Sequence, residues 1–147
     1  NDAMTRLRER GLDRLIPTLG QPLLGICLGM QLLFERSEEG ETETLGVLFG
    51  EVRRLLPSRE RPVPHMGWNT LAPRGAHPLL AGFGATDYVY FVHSFAAPVS
   101  EATLAVTEYG ETFSAVVGRD NFFGAQFHPE RSGACGARLL QNFLGLR

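Results

Sequence analysis

Cys27 is the residue whose surroundings best fit covalent chemistry, since it lies between two glycines in the sequence Gly25-Ile26-Cys27-Leu28-Gly29. Residues 22–26 are a short apolar run that predicts a buried strand, and residues 28–39 predict a helix. A cysteine at such a junction has the pattern of a nucleophile elbow, in which a tight turn presents the side chain. We expect the helix N-terminus to lower the pKa of the thiol and the N–H of Leu28 to face a developing oxyanion. The alternative is that Cys27 is a small buried residue, as free cysteines often are.

A thiol nucleophile needs a base, and His128 is the histidine best placed to serve. It follows an apolar strand and opens the tripeptide His128-Pro129-Glu130. Residues i and i+2 of an extended chain point the same way, and a proline favours an extended conformation for the residue before it. We therefore expect Glu130 to hold one ring nitrogen of His128 and to leave the other for Cys27. Taken alone, the tripeptide is more typical of an ordinary surface turn.

The remaining histidines and the second cysteine are weaker candidates. His93 lies in a predicted buried strand, where a core histidine and a substrate contact are equally good interpretations. His77 precedes Pro78 in a loop, and Cys135 has no elbow around it, so we interpret both as structural. No two histidines are three to five residues apart and no CxxC pair is present, so a metal site is not predicted.

The elements that must position these residues follow from hydrophobic periodicity. A helical pattern opens the chain, residues 87–95 are predicted to form a central strand, and a helix is predicted over 135–146. Further predicted strands lie at 46–56 and 103–109, and a hairpin joins 113–117 to 122–127. A strand that leads directly into a helix is typical of a parallel α/β sheet, in which ligands bind beyond the strand ends.

The composition indicates an ordinary globular domain. The 147 residues are 44% hydrophobic and 20% charged, with a net charge of -2 and a pI of about 6.1. A nucleic-acid or membrane partner is therefore not expected, and the four arginines near the start are interpreted as a solvated helix face. Two cysteines are too few for a disulfide scaffold, so a cytoplasmic location is predicted.

The chain resembles a known family, the class I (triad) glutamine amidotransferases. The resemblance lies in Gly25-Ile26-Cys27-Leu28-Gly29-Met30-Gln31 and in Gln126-Phe127-His128-Pro129-Glu130. Two more motifs, Pro64-His65-Met66-Gly67-Trp68-Asn69 and Tyr90-Phe91-Val92-His93-Ser94-Phe95, resemble the glutaminase subunits of imidazole glycerol phosphate synthase, an enzyme of histidine biosynthesis. The resemblance implies an open, mostly parallel twisted sheet of flavodoxin-like type flanked by helices, with an additional antiparallel hairpin region. It implies no cofactor.

The resemblance also implies a reaction, the hydrolysis of glutamine to glutamate and ammonia. Cys27 would attack the side-chain amide, His128 would carry a proton to the departing ammonia, and water would hydrolyse the thioester. Gln31 lies one helical turn beyond Cys27 and could face the substrate. The expected substrate contacts are Gln31, Glu39, Ser94 and Phe95. Glu38, Glu39 and Glu41 crowd the end of the predicted helix, and a plain acidic surface is an equally fair interpretation of Glu39.

A partner is implied because ammonia that reaches water is protonated and lost. The family passes ammonia to a docked synthase, so a heterodimer with the cyclase subunit is expected. The candidate interface residues are Trp68, Asn69, Tyr90 and Arg131, with core packing an even alternative for Trp68. Arg131 stands where lysine is commoner and Phe95 where tyrosine is common, which changes the geometry of one charge and removes one hydroxyl.

Residues 1–147 are predicted to be a single amidotransferase domain that is truncated at its N-terminus. The family has a strand, a helix and a glycine-rich loop before the segment that begins here, and a βαβ unit takes roughly 30 residues. That loop supplies the second oxyanion donor, and removing one such donor costs about 10²–10³ in rate. The chain alone is therefore expected to be poorly active.

Other functions fit the same motifs. The glutaminases of pyridoxal phosphate, anthranilate or GMP synthesis share the triad, although the PHMGWN sequence argues against them. A hydrolase of γ-glutamyl peptides would act without a partner. A non-catalytic interaction subunit would keep the fold without the chemistry. The complete triad of Cys27, His128 and Glu130 argues against it, whereas the missing oxyanion loop leaves it open.

Overall fold

The computed structural model describes residues 2–147. Its α-helices are α1 (Asp2–Glu9), α2 (Leu12–Leu15), α3 (Leu28–Gln31) and α4 (Gly133–Leu144). Its strands are β1 (Leu23–Ile26), β2 (Arg36–Ser37), β3 (Thr42–Glu43), β4 (Glu51–Arg54), β5 (His65–Thr70), β6 (Ala72–Pro73), β7 (Tyr88–His93), β8 (Phe95–Ala96), β9 (Thr103–Tyr109), β10 (Glu111–Arg119) and β11 (Phe122–Ala125). In the same residues, 3-10 helices lie at Ile16–Thr18, Pro78–Leu80 and Pro129–Arg131. No helix in this part of the chain has the length and apolar character needed to cross a membrane.

The main sheet has the strand order β1-β11-β10-β9-β6. Strands β1 and β11 run parallel, with Leu23 opposite Phe122 and Ile26 opposite Ala125. The Cys27 N–H extends this ladder by donating to the Ala125 carbonyl at 2.7 Å. Because parallel strands end at the same edge, the segments that follow β1 and β11 emerge side by side.

Two smaller sheets complete the fold. Strands β3, β2, β4 and β8 form one of them in that order, and β5 pairs antiparallel with β7 in the other. The β5–β7 register sets His65 opposite His93 and Trp68 opposite Tyr90. Side chains alternate between faces along a strand, so these two pairs lie on opposite faces of the ribbon.

The main sheet is covered on both faces. Val116 and Phe123 belong to one buried cluster, whereas their neighbours Val117 and Phe122 belong to a second. The first cluster includes Leu139 of α4, and the second includes Met30 of α3. Adjacent strand residues point to opposite faces, so helices pack on the two sides of the sheet.

The structure confirms an α/β fold with flanking helices and the hairpin of β10 and β11, and it corrects three details. The sheet of the described residues is mixed, because β1 and β11 are the parallel pair of the main sheet and its other neighbours are antiparallel. The predicted central strand at 87–95 is β7, which pairs with β5 outside the main sheet. The predicted helix over 28–39 ends at Gln31, since the carbonyls of Leu32, Leu33 and Phe34 accept N–H groups from residues 45–48.

Candidate active site

A strained turn between β1 and α3 presents Cys27. Its φ of 53° and ψ of -106° lie in a region that non-glycine residues rarely adopt. Such conformations cost on the order of 1–3 kcal/mol and are concentrated at functional sites. Gly25 makes the turn possible, because a Cβ at that position would lie 2.5 Å from the Gly29 carbonyl oxygen. Gly29 has open space around its own missing side chain, so only the first of the two glycines is sterically required.

The surroundings of the Cys27 thiol raise its pKa, contrary to the expectation from its helix N-terminus. Burial is the main cause, and the carboxylates of Glu130 and Glu39 act in the same direction. Hydrogen bonds from the Leu28 N–H and the Gln126 side chain oppose them by lowering the pKa. The expectation failed because α3 is only four residues long and the thiol is partly buried. The effect of the Leu28 N–H on the thiol nevertheless shows that this donor lies close to Cys27, as an oxyanion donor would have to.

His128 and Glu130 form the pair that the sequence predicted. The Nδ1 atom of His128 lies 3.2 Å from each carboxylate oxygen of Glu130, which leaves Nε2 as the free ring nitrogen. His128 is extended, with φ -98° and ψ 102°, but Glu130 lies in the 3-10 helix Pro129–Arg131 rather than in an extended chain. Within residues 2–147, the Cys27 thiol makes its hydrogen bond to the Val92 carbonyl at 3.7 Å and none to His128. The imidazole is thus oriented by Glu130, while the thiol is hydrogen-bonded to other groups.

The turn that carries His128 is fastened to its neighbours. The N–H of His128 donates to the Tyr90 carbonyl at 2.9 Å. The hydroxyl of Ser132 donates to the His128 carbonyl at 2.7 Å and accepts from the Tyr90 N–H at 2.9 Å. Helix α4 packs so closely that a Cβ on Gly136 would lie 1.8 Å from the Pro129 carbonyl oxygen. The position of the imidazole therefore depends on β7 and on α4.

The predicted substrate contacts lie in two groups, one formed by Gln31, Ser94 and Phe95 and the other by Glu39. Gln31 is nearly buried, and its Nε2 donates to the Phe95 carbonyl at 2.8 Å and to Gln126 Oε1 at 3.0 Å. Both amide hydrogens are therefore used, and its carbonyl oxygen remains as an acceptor for a substrate. The Ser94 carbonyl accepts from the Leu55 N–H at 2.9 Å, so it too is engaged internally.

Glu39 lies in the turn after β2, not at the end of a helix. Of the three neighbouring carboxylates, Glu38 accepts from the Arg54 N–H at 2.8 Å and Glu41 pairs with Arg36 at 2.7 Å. The carboxylate of Glu39 has no such partner among residues 2–147, yet its charge raises the pKa of the Cys27 thiol. Glu39 is thus the acidic residue of this turn that remains available for an ammonium group.

The four predicted interface residues do not share one face. The indole of Trp68 meets the Tyr90 ring edge to face, with 5.7 Å between the ring centroids. Trp68 is 56% exposed, so it is not a core residue. The guanidinium of Arg131 lies over the same Tyr90 ring, 4.3 Å from its centroid. The Asn69 side chain turns inward, donating to the Glu108 carbonyl at 2.9 Å. The exposed cluster therefore comprises Trp68, Tyr90 and Arg131.

Sequence reasoning did not single out Gln126, which the structure places against Cys27. Its side chain is fully buried, accepts from Gln31 and donates to Cys27 Sγ at 3.7 Å. The available signal was an amide in an apolar strand end directly before His128, where a buried polar side chain needs partners. The same part of the chain, residues 2–147, holds no cluster of three His, Cys, Asp or Glu side chains placed to bind a metal ion.

Comparisons with known proteins identify the family of this chain. The family described as "Glutamine amidotransferase class-I" matches residues 8–145. The chain is 51% identical to the imidazole glycerol phosphate synthase subunit HisH of Photorhabdus laumondii, an alignment that covers 97% of this chain and 73% of the relative. It is 54% identical to the HisH subunit of Xanthomonas euvesicatoria, over 97% of this chain and 72% of the relative.

Solved structures show the same fold. A putative GMP synthase protein from Thermoplasma acidophilum superposes with a TM-score of 0.64 at 18% identity, covering 91% of this chain and 61% of that one. A second structure, described as a glutamine amidotransferase, has a TM-score of 0.67 at 20% identity and covers 94% of this chain and 69% of that one.

Proposed function

This chain belongs to the class-I glutamine amidotransferases, and from that premise we propose that it is the glutaminase subunit of an imidazole glycerol phosphate synthase. The observation that carries the proposal is the strained Cys27 at the end of β1, beside the β11 end that leads to His128 and Glu130. Strain at a partly buried thiol has no use in packing, whereas a nucleophile must stand clear of the backbone.

Each group has a step in the reaction. Cys27 Sγ attacks the amide carbon of glutamine, and the oxygen that becomes negative accepts a hydrogen bond from the Leu28 N–H. His128 Nε2 takes the thiol proton and returns it to the amine, so the carbon–nitrogen bond breaks and ammonia leaves a thioester. Water deprotonated by His128 then hydrolyses the thioester to glutamate and restores the thiol. Glu130 keeps the imidazole in one tautomer by accepting from Nδ1.

Glutamine itself is proposed to lie between α3 and the turn after β2. Its amino group would meet the unpaired Glu39 carboxylate, and its side-chain amide would reach the carbonyl oxygen of Gln31. The nearby backbone at Ser94 and Phe95 would close the pocket. An ammonium group would offset the charge of Glu39, and bound substrate would thereby relieve one of the effects that raise the Cys27 pKa.

The experiment that tests this function is labelling with an electrophilic glutamine analogue, a diazoketone, followed by mass spectrometry of the peptides. We expect an adduct on Cys27, protected by glutamine and lost in His128→Ala, with Cys135 unmodified as the internal control. Labelling of both cysteines at equal rates, or labelling that glutamine does not slow, would contradict a glutaminase.

The cyclase subunit is the proposed partner, docked on the surface formed by Trp68, Tyr90 and Arg131. An exposed indole and an arginine that both contact the same tyrosine ring have the composition of an interface hot spot. They adjoin the catalytic turn, since the Tyr90 carbonyl accepts from the His128 N–H. A partner seated there would cover the site from which ammonia leaves.

Binding of the cyclase can be measured by calorimetry with the wild-type chain and with Trp68→Ala. We expect the substitution to weaken binding by roughly 2 kcal/mol or more, as hot-spot residues do. Leu144→Ala is the matched control, because Leu144 is 81% exposed and belongs to the end of α4. Equal affinities for both variants would place the interface elsewhere.

A further inference from the structure

Gln126 is a buried polar residue that has no role in the proposed reaction of Cys27, His128 and Glu130. Its side chain has no exposed area, and it follows β11 directly. An amide in such a place costs free energy unless its hydrogen-bonding groups are satisfied. The partners that satisfy it are Gln31 and the sulfur of Cys27.

The direction of the Gln126 amide follows from its neighbours. The Phe95 carbonyl can only accept, so the Gln31 atom 2.8 Å from it must be the amide nitrogen. That nitrogen spends its second hydrogen on the atom of Gln126 at 3.0 Å, which must therefore be Oε1. The remaining end of the Gln126 amide, its Nε2, is the group 3.7 Å from Cys27 Sγ. A donor, and not an acceptor, thus faces the nucleophile.

The Phe95 carbonyl is held in turn by a pair of histidines. His93 Nδ1 lies 2.8 Å from that carbonyl and must donate to it, which leaves His93 Nε2 to accept from His65 Nδ1 at 2.9 Å. Both rings are buried, and burial lowers the pKa of each to about 4. Both histidines are therefore neutral near pH 7, and one tautomer of each ring satisfies every hydrogen bond in this series. The Asn69 amide, 3.4 Å from His65 Nε2, supplies its outer donor.

We propose that Gln126 is a further catalytic residue, whose amide N–H stabilises the Cys27 thiolate in a direction imposed by Gln31. The N–H of Leu28 is already assigned to the oxyanion, so the Gln126 amide is the donor left for the sulfur in this partly buried site. Hydrogen bonds to an ionised acceptor are about twice as strong as neutral ones. The donor therefore favours the thiolate over the thiol and holds the sulfur in place during attack. The inference rests on the proposed role of Cys27 as nucleophile.

The test is the pH dependence of Cys27 alkylation by iodoacetamide, resolved by peptide mass spectrometry. In Gln126→Leu we expect the midpoint of the Cys27 alkylation profile to rise by about one pH unit, which lowers the thiolate fraction at pH 7 about tenfold. The alkylation rate at pH 7 should fall by about three- to tenfold, because the more basic thiolate is also a better nucleophile and offsets part of the loss. Cys135 in the same sample is the reference thiol and keeps its profile. Gln141→Leu is the matched control, since Gln141 is exposed on α4. An unchanged Cys27 profile in folded Gln126→Leu would overturn the proposal.

Two further variants decide the question if Gln126→Leu does not fold. Gln126→Glu keeps the shape but replaces the donor by a carboxylate, so the Cys27 midpoint should rise further than with leucine. Gln31→Met frees the Gln126 amide to turn, and the midpoint should rise by less than one unit. A midpoint that stays constant in both would overturn the proposal.

Failure of this inference is distinguishable from failure of the proposed function. Alkylation requires no glutamine, so it reports on the thiol alone. A glutamine-protectable adduct on Cys27 together with an unchanged profile in the Gln126 variants would leave the glutaminase intact and remove the donor role. A shifted profile without any glutamine-protectable adduct would do the reverse.

Discussion

Substitution of Gly136 by alanine should displace His128, the proposed catalytic base, without touching it. A Cβ at this position would lie 1.8 Å from the Pro129 carbonyl oxygen and 2.6 Å from its carbon. It must retreat by about 1.2 Å to reach 3.0 Å, below which real Cβ contacts are essentially not found. The opposing group is backbone, so α4 or the 3-10 helix that holds Glu130 must move as a whole. His128 and Glu130 would then shift by about 1 Å relative to Cys27, and a misplacement of that size can cost on the order of 100-fold in rate.

Stability should respond in the opposite sense to helix propensity. Alanine in place of glycine inside a helix stabilises it by up to about 1 kcal/mol, whereas overpacking costs typically 1–3 kcal/mol. We therefore expect Gly136→Ala to lower the melting temperature by a few degrees, since about 1 kcal/mol shifts it by roughly 2–4 °C in a domain of this size.

Two measurements on Gly136→Ala are sufficient: thermal unfolding by circular dichroism, and the labelling rate of Cys27 by the diazoketone analogue. Gly84→Ala is the matched control, because Gly84 has no neighbour within 4 Å of a built Cβ. A Gly136→Ala protein that melts higher than wild type and labels at the wild-type rate would refute the steric reasoning.

Two further predictions concern the histidines. Because His65 and His93 have a pKa of about 4 when folded, against 6.5 as the ordinary value, the unfolded state binds more protons below pH 6.5. Lowering the pH from 7.5 to 4.5 should therefore reduce the free energy of unfolding by roughly 2 kcal/mol per histidine, as measured by urea unfolding. His93→Gln should make this loss smaller, and an equal loss in wild type and variant would contradict the prediction. Glu130→Gln should slow labelling of Cys27 by on the order of 10²–10⁴, because the carboxylate proposed to fix the His128 tautomer is lost. Glu101→Gln is its exposed control, and equal rates for the two variants would show that Glu130 does not orient the imidazole.

Local sequence determined much of the fold and the identity of the family. Alternating apolar residues located β9 and the hairpin of β10 and β11, since period-two patterns arise within a single strand. The elbow followed from Gly25 and Cys27, because the turn needs a residue without a Cβ at a place defined by nearby backbone. The class-I amidotransferase family followed from the short motifs around Cys27 and His128, and the comparisons confirm it.

Only the tertiary structure decided the features that depend on distant neighbours. The helix after Cys27 stops at Gln31 because carbonyls of the next turn accept from residues 45–48. The pKa of the Cys27 thiol is raised because burial outweighs a short helix, and burial is a sum over many segments. The Gln126 amide points its donor at the sulfur because Phe95, over 30 residues away in sequence, offers only an acceptor. Periodicity and motifs describe what a segment can form by itself, whereas hydrogen-bond direction and desolvation exist only once the segments are packed together.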